Sequence, residues 1–267
     1  VLIILLGGHL TSAQDFYTEK WQEAEKLELE NKIKDAKEIV EEIYRRAKRK
    51  KDDDQLVKTF MFRAKFDLIK EENAQQKVLN ELEALISKVK FPNKNIYHSV
   101  YAKLLNDYVA QNRWQIQNRT SGGLMDQNDF LTWDAKTFYA KISEQYQLSL
   151  KNSDKLGKIP VSDYSAILYV RPLGRELRPT LFDLLAREAL GFYKTGYNRL
   201  TAPKESYTIT AKNAFLPTQE LKKLKRPAGD TVYSKYDVVQ LYASLEEWHL
   251  SQKNEAPYVT IVLERLE

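Results

Sequence analysis

From Asp15 to about Gln117 apolar residues recur at three- and four-residue spacing almost without interruption, the period of helices that each turn one stripe toward a core. One segment shows it well: Ala36, Ile39, Val40, Ile43 and Ala47 share a stripe while Lys37, Glu38, Glu41, Glu42 and Arg45 cover the remainder. Leu56, Phe60, Ala64 and Leu68 predict the next helix. Val78, Leu82, Leu85, Ile86 and Val89 predict a fourth, and Ile96, Val100, Leu104 and Tyr108 a fifth. Breaks near Asn31, Asp52 to Asp54, Asn73 and Phe91-Pro92-Asn93 set helix starts about every 20 residues, so a helical hairpin takes about 40, the size of α-solenoid repeats. The repeat is degenerate. Trp21, Ala24 and Ala36 loosely follow a tetratricopeptide pattern whose glycine and proline positions are unfilled.

Beyond Asn118 the texture changes. Arg119-Thr120-Ser121-Gly122-Gly123 reads as a loop, and Phe130 to Trp133 leads into a helix carrying Phe138, Ile142 and Tyr146. After an irregular stretch to Leu177, Pro179 suits the first turn of a helix with the stripe Leu181, Leu184, Leu185, Ala189 and Phe192. Residues 196–232, with Pro203, Pro217 and Pro227, are the least regular, with room for short extended pieces such as Tyr207 to Thr210. Val238, Leu241, Tyr242 and Leu245 mark a returning helix, and Val259 to Glu267 a last amphipathic segment. The predicted fold is mainly α: antiparallel helical hairpins in a TPR-like, α-solenoid array with an irregular C-terminal part. Its expected divisions are 1–14, 15–118, 119–195 and 196–267.

The first of these divisions reads differently from the rest. Val1-Leu2-Ile3-Ile4-Leu5-Leu6 is an apolar run, followed by Gly7, Gly8 and the small residues around Thr11-Ser12-Ala13-Gln14, the pattern of the end of a secretory signal peptide cut near Ala13. The run is far shorter than the roughly 20 apolar residues of a membrane span, and none is expected later in the chain. Export to the periplasm or cell surface follows as an expectation. The Val start and the abrupt end within an amphipathic pattern suggest a fragment of a longer protein.

Charge narrows the partners. Lys and Arg number 42 against 37 Asp and Glu, a balance of +5 that calls for neither nucleic acid nor an anionic membrane. The run Arg45-Arg46-Ala47-Lys48-Arg49-Lys50-Lys51 is open to two readings, a phosphate or lipid-headgroup patch and the cationic end of one helix meeting Asp52-Asp53-Asp54 at the start of the next. The helix dipole favours the second.

Candidate chemistry is sparse. With no cysteine, thiolate zinc sites and Cys nucleophiles are excluded. His9, His98 and His249 lie far apart, without metal-binding spacing, and no Gly-x-Ser-x-Gly, Walker or Gly-x-Gly-x-x-Gly motif occurs. No catalytic residue, metal or cofactor is expected. His249 shares a stripe with Leu241 and Leu245, which predicts a hydrogen-bonded, partly buried histidine. Tyr97, Tyr101, Tyr108, Tyr139, Tyr146 and Tyr164 are open to a ligand-stacking groove or to filling the space between helices, the simpler use of an amphipathic ring. Asn118-Arg119-Thr120 also fits a glycosylation sequon.

Four stretches, in order, carry a resemblance: Gln111-Asn112-Arg113-Trp114-Gln115-Ile116-Gln117-Asn118-Arg119-Thr120; Thr132-Trp133-Asp134; Ile159-Pro160 with Asp163-Tyr164; and Leu177-Arg178-Pro179-Thr180-Leu181-Phe182-Asp183-Leu184-Leu185-Ala186. Together they resemble the N-terminal helical region of the very large alpha-2-macroglobulin-like proteins of Bacteroidetes. The resemblance implies an envelope trap for foreign endopeptidases, built mainly of β-sandwich domains outside these residues. Its partners would be the following domains of the same polypeptide and the target proteases. Thioester and bait residues have no counterpart here, so only a scaffold role carries over. Trp114, Ile116 and Trp133 are expected to anchor the connection between the flanking helices. Arg113, Arg119 and Arg178 are expected to bind helix C-terminal carbonyls, or Asp134 and Asp183, unless this surface meets a following domain. A different class stays open: a helical-repeat protein binding glycan or peptide for uptake at the outer membrane.

Overall fold

A computed structural model describes residues 8–70, 74–119, 126, 129–164, 167, 172–195, 207–230 and 235–267. The apolar run at 1–6 and Thr120 of the sequon lie outside them. Among the described residues the regular structure is helical, with one isolated β-bridge between Pro160 and Thr180. The chain forms two compact units, 1–81 with 166–169 and 82–165 with 170–267.

In the first unit α1 (Gly8–Leu29), α2 (Ile33–Lys50) and α3 (Asp53–Lys70) follow one another through short turns. The expected cleavage point near Ala13 falls in the early turns of α1. Ala36, Val40, Ile43 and Ala47 of α2 are all buried, as their spacing requires. Ala36, Val40 and Ile43 pack with Tyr17, Trp21 and Ala24 of α1 and Phe66 of α3. Trp21 donates its indole N–H to Gln55 Oε1 at 2.7 Å, so the large ring enters the core without an orphaned donor. Lys58 lies 4.2 Å from the Trp21 ring centre; burial lowers its pKa against the opposing pull of Glu25. The turn after α2 is closed by Lys51 in the left-handed conformation (φ 56°), its N–H reaching back to Ala47 and Lys48 carbonyls. The basic run does end α2, and Asp53 and Asp54 open α3, the arrangement the dipole favours. α4 (Ala74–Ile86) ends before Val89, which the periodicity had placed on it.

The second unit is organised by α5 (Asn93–Gln111), which pairs with α7 (Ala135–Ser149). α5 carries buried residues on every side, among them Ile96, Tyr97, Tyr101, Leu105, Tyr108 and Val109, so its burial is wider than the single stripe that periodicity predicts. The pair is antiparallel and its register is fixed by polar contacts. Buried Asn95 at the start of α5 donates to the Ser149 and Lys151 carbonyls, each at 2.9 Å, and so closes the C-terminal end of α7. One turn along, His98 Nδ1 donates to Gln145 Oε1 at 2.7 Å. At the far end Tyr108 meets Phe130 edge-on at 4.8 Å and Phe138 at 5.7 Å.

Short α6 (Arg113–Gln117) and a 3-10 turn (Phe130–Thr132) lie between these helices. After α7 come α8 (Ser153–Leu156), a second 3-10 turn (Val161–Tyr164), α9 (Pro172–Leu177) and α10 (Leu181–Lys194). The bridge at Pro160 and Thr180, with Val161 N–H on the Pro179 carbonyl at 2.8 Å, sets the entry to α10. Pro179 precedes the helix instead of opening it, because Thr180 takes the N-cap. Then α11 (Ala211–Ala214) and α12 (Thr218–Lys223) lead to the hairpin of α13 (Lys235–Ser251) and α14 (Glu255–Leu266). Residues 207–210 form no strand. Pro257 sits in the first turn of α14, where its missing N–H breaks no helical hydrogen bond. No described helix is long and apolar enough to cross a membrane.

Candidate functional site

The residues singled out by sequence fall into two clusters within the second unit. The first joins α5 to α7. Trp133 is buried, packs edge-on against Phe138 at 5.4 Å, and donates its indole N–H to the Asp126 carbonyl at 3.0 Å. Its own carbonyl, at the end of the 3-10 turn, accepts from Arg119 Nη1 at 2.8 Å. Arg119 therefore binds a helix-end carbonyl, one of the two roles expected of it. Asp134 caps α7, accepting from the Thr137 N–H at 2.8 Å, so its place in the pattern is explained by the helix start that it secures.

Trp114 does not do what its sequence position suggested. It is 77% exposed, while Ile116 is buried. On a helix, residues two apart point about 200° away from each other, so in the five-residue α6 only one of them can face the core. The smaller, branched Ile116 takes that place, and the indole stands in solvent among exposed Arg113, Gln115 and Gln117. Ile116 and Trp133 thus pack internally, and Trp114 does not.

The second cluster surrounds the start of α10. Thr180 and Asp183 form a capping box: Asp183 N–H donates to Thr180 Oγ1 at 3.2 Å, and Thr180 N–H and Oγ1 donate to Asp183 Oδ2 at 3.1 and 2.8 Å. The other carboxylate oxygen accepts from His249 Nε2 at 2.9 Å and Arg187 Nη1 at 3.2 Å. Burial alone would raise the Asp183 pKa, but the His249 hydrogen bond and charge, then Thr180 and Arg187, hold it below the ordinary carboxylate value. Arg187 reaches on to Glu264 of α14, which also accepts from Arg178 Nη2 at 3.1 Å. Arg178 is thus tied to Glu264, and the expected pairing with Asp183 belongs to Arg187 instead, which lies one turn along the same helix and so shares its face.

His249 and Asp183 repeat the base-and-carboxylate half of a hydrolytic triad, but the surroundings give the pair another use. Both side chains are completely buried, and His249 Nδ1 faces the Asn254 amide nitrogen at 3.4 Å. With an amide donor on one ring nitrogen and a carboxylate on the other, neither nitrogen is left to meet a substrate. The pair ties α10 to the α13–α14 hairpin. A second tie lies nearby: buried Glu246 accepts from Thr218 Oγ1 at 2.7 Å and from Arg265 Nε at 2.5 Å.

Thr180, Arg187, Glu264 and Glu246 were not singled out by sequence. Only the Thr180-x-x-Asp183 spacing, a capping-box signature, was there to be read; the other partners are set by helix packing. The tyrosines at 97, 101, 108, 139, 146 and 164 are all buried. Tyr101 donates to Glu83 and Tyr164 to Asn93, and burial, followed by the Glu83 hydrogen bond, raises the Tyr101 pKa. Among the described residues no group of three His, Asp or Glu side chains is placed to hold a metal ion. Compared with family models, curated proteins and solved structures, the chain matches none of them.

Proposed function

We propose that the chain is a non-catalytic interaction scaffold, the N-terminal helical region of a large alpha-2-macroglobulin-like endopeptidase inhibitor exported to the envelope of a Bacteroidetes cell. The observation that carries this reading is the state of the aromatic residues. The six tyrosines at 97, 101, 108, 139, 146 and 164 are spent on internal packing, and Trp114 alone among the resemblance-carrying tryptophans stands exposed. Its helix is anchored by buried Ile116 and followed closely by Arg119, which is fixed on the Trp133 carbonyl, so the indole is offered at a defined position. A rigid, exposed indole surrounded by polar side chains is the composition of an interface hot spot. Its partner in this reading is a following domain of the same polypeptide. The uptake-protein alternative needs an open face of aromatic rings, and the burial of Tyr97, Tyr101, Tyr108, Tyr139, Tyr146 and Tyr164 leaves it without support from those residues.

The deciding experiment is the sequence of the gene downstream of Glu267 together with a pull-down of the encoded domains. Several hundred residues of short-strand sandwich pattern, and binding that Trp114→Ala weakens at least about tenfold, are the expected results. A stop codon immediately after Glu267 would sink the proposal. Export is tested separately by N-terminal sequencing of the envelope fraction, where Gln14 is the expected first residue; an intact apolar start in the cytosol contradicts it.

A further inference from the structure

Two lysine-rich segments far apart in sequence meet at one end of the α5–α7 pair. Buried Asn95 donates to the Lys151 carbonyl at 2.9 Å across 56 positions, and Tyr164 donates to Asn93 Oδ1 at 3.1 Å. The turn ahead of α5 and the stretch from Lys151 through α8 to Lys158 therefore form one surface. On it stand Lys88, Lys90 and Lys94 from the first segment and Lys151, Lys155 and Lys158 from the second, all exposed. Among the described residues none of the six is held in an ion pair. Only Asp154 and Asp163 are acidic in residues 87–95 and 150–164, so this end carries an excess of four positive charges in a chain whose whole excess is five. Phe91 lies between Lys90 and Lys94 and is 38% exposed. Helix dipoles account for part of the pattern, since α4 and α7 both end here and favour Lys88 and Lys151. Lys94 is different: it stands in the first turn of α5, where the dipole favours an anion and no acidic residue is present.

The kind of cation chooses the occupant. All six are lysines, and no arginine lies in either segment. Protein interfaces are enriched in arginine and depleted of lysine, because the planar guanidinium pairs carboxylates two bonds at a time and gives up its water more readily. Nucleic acid is read through the same arginine forks or gripped by stacks of aromatic rings, and here there is one ring. Lysine is a compact, well-hydrated charge on an apolar stem. Several such charges around one exposed aromatic ring suit a surface that needs no fixed partner geometry: the ammonium groups stay among phosphate headgroups while the stems and the ring settle at the edge of the acyl region. The balanced charge of the whole chain gives no reason to expect this; the folded arrangement concentrates the excess at one end. We infer that the end of the second unit formed by Lys88, Lys90, Lys94, Lys151, Lys155 and Lys158 docks on an anionic lipid bilayer, with Phe91 entering the interface.

The test is co-sedimentation of the full 267-residue chain with vesicles of phosphatidylcholine alone and of phosphatidylcholine with phosphatidylglycerol at about two to one. Binding at least about tenfold tighter to the anionic vesicles, weakening as salt is raised, is expected. The triple variant Lys90→Glu, Lys94→Glu, Lys155→Glu should lose at least about a hundredfold in affinity with unchanged helix content, because the three side chains are exposed and unpaired. A second triple variant, Lys48→Glu, Arg49→Glu, Lys50→Glu, removes the same charge from the exposed basic end of α2 and should stay within about twofold of the parent. Phe91→Ala should weaken binding about tenfold and leave its salt dependence unchanged, since it removes an apolar contact and no charge. Equal binding to both vesicles, or equal losses in the two triple variants, would overturn the inference, the second because net charge alone would then explain the attraction. So would tighter binding of a single-stranded oligonucleotide than of the anionic vesicles, lost in the first triple variant, or release from the vesicles by millimolar inorganic phosphate at constant ionic strength, which would point to a nucleic-acid surface or to a site for free phosphate.

Discussion

His249 Nε2 lies 2.9 Å from Asp183 Oδ1, and both side chains are fully buried where α10 meets the α13–α14 hairpin. A buried carboxylate that accepts from a histidine, an arginine and its own capping threonine is stabilising only while all three remain. Asp183→Ala strips His249 of its acceptor, leaves Arg187 with Glu264 alone and breaks the capping box in one step, which is expected to cost about 3 to 5 kcal/mol. Asp183→Asn, which keeps an oxygen for the cap, should cost less. Urea midpoints of the two variants check the order; equal midpoints would mean that the charge carries the whole effect.

His98 gives the protein an acid-sensitive term. Burial lowers its pKa, opposed by the Gln145 hydrogen bond. The unfolded chain then takes up a proton at a pH where the folded chain does not. The stabilisation is whole above about pH 6.5, the unfolded value, and is lost as pH falls toward the lower folded value. His98→Gln cannot titrate, so the gap in stability between the parent and this variant should change between neutral pH and about pH 5, in the direction of the parent losing more. A gap that stays constant across that range would show that burial does not hold the ring neutral.

Trp133 and Trp114 should respond oppositely to truncation. Trp133→Ala removes a buried ring, its edge-on contact with Phe138 and the hydrogen bond to Asp126, an expected loss of about 3 to 5 kcal/mol. Trp114→Ala removes an exposed ring and should change stability by no more than about 0.5 kcal/mol. Denaturant midpoints of both variants, measured side by side, separate the packing residue from the surface one.

Gly157, at the end of α8, lies flat against the indole of Trp248, and a β-carbon there would overlap the ring. The displaced atoms belong to a rigid bicycle and not to the tip of a flexible chain. Gly157→Ala is therefore expected to destabilise by about 1 to 3 kcal/mol, although alanine favours helix at most positions. Calorimetric melting of this variant checks it. Gly191→Ala makes the control, since a β-carbon at Gly191 meets nothing and alanine should there be neutral or stabilising.

How much of this was written in the chain can be followed residue by residue. The stripe of α2, the basic end of α2 against the acidic start of α3, the breaks at Asn31 and Asp52, and the buried histidine at 249 are local facts. Three- and four-residue periodicity, dipole preference and turn chemistry act within a few residues, so they can be read without knowing what packs against what. Asp134 and Asp183 were expected as partners for arginine, and both prove to cap helices, a role each fixes with a residue three positions away, Thr137 after Asp134 and Thr180 before Asp183. Contacts between distant segments obey no such rule. That Asn95 would close α7 across 54 positions, that Arg178 would choose Glu264 over Asp183, and that Ile116 and not Trp114 would face inward depended on how the helices pack. A side chain's periodicity states only that it can be buried. Which of two eligible residues is buried, and which ion meets which, is decided by the helix that arrives opposite, and that information lies in the tertiary structure.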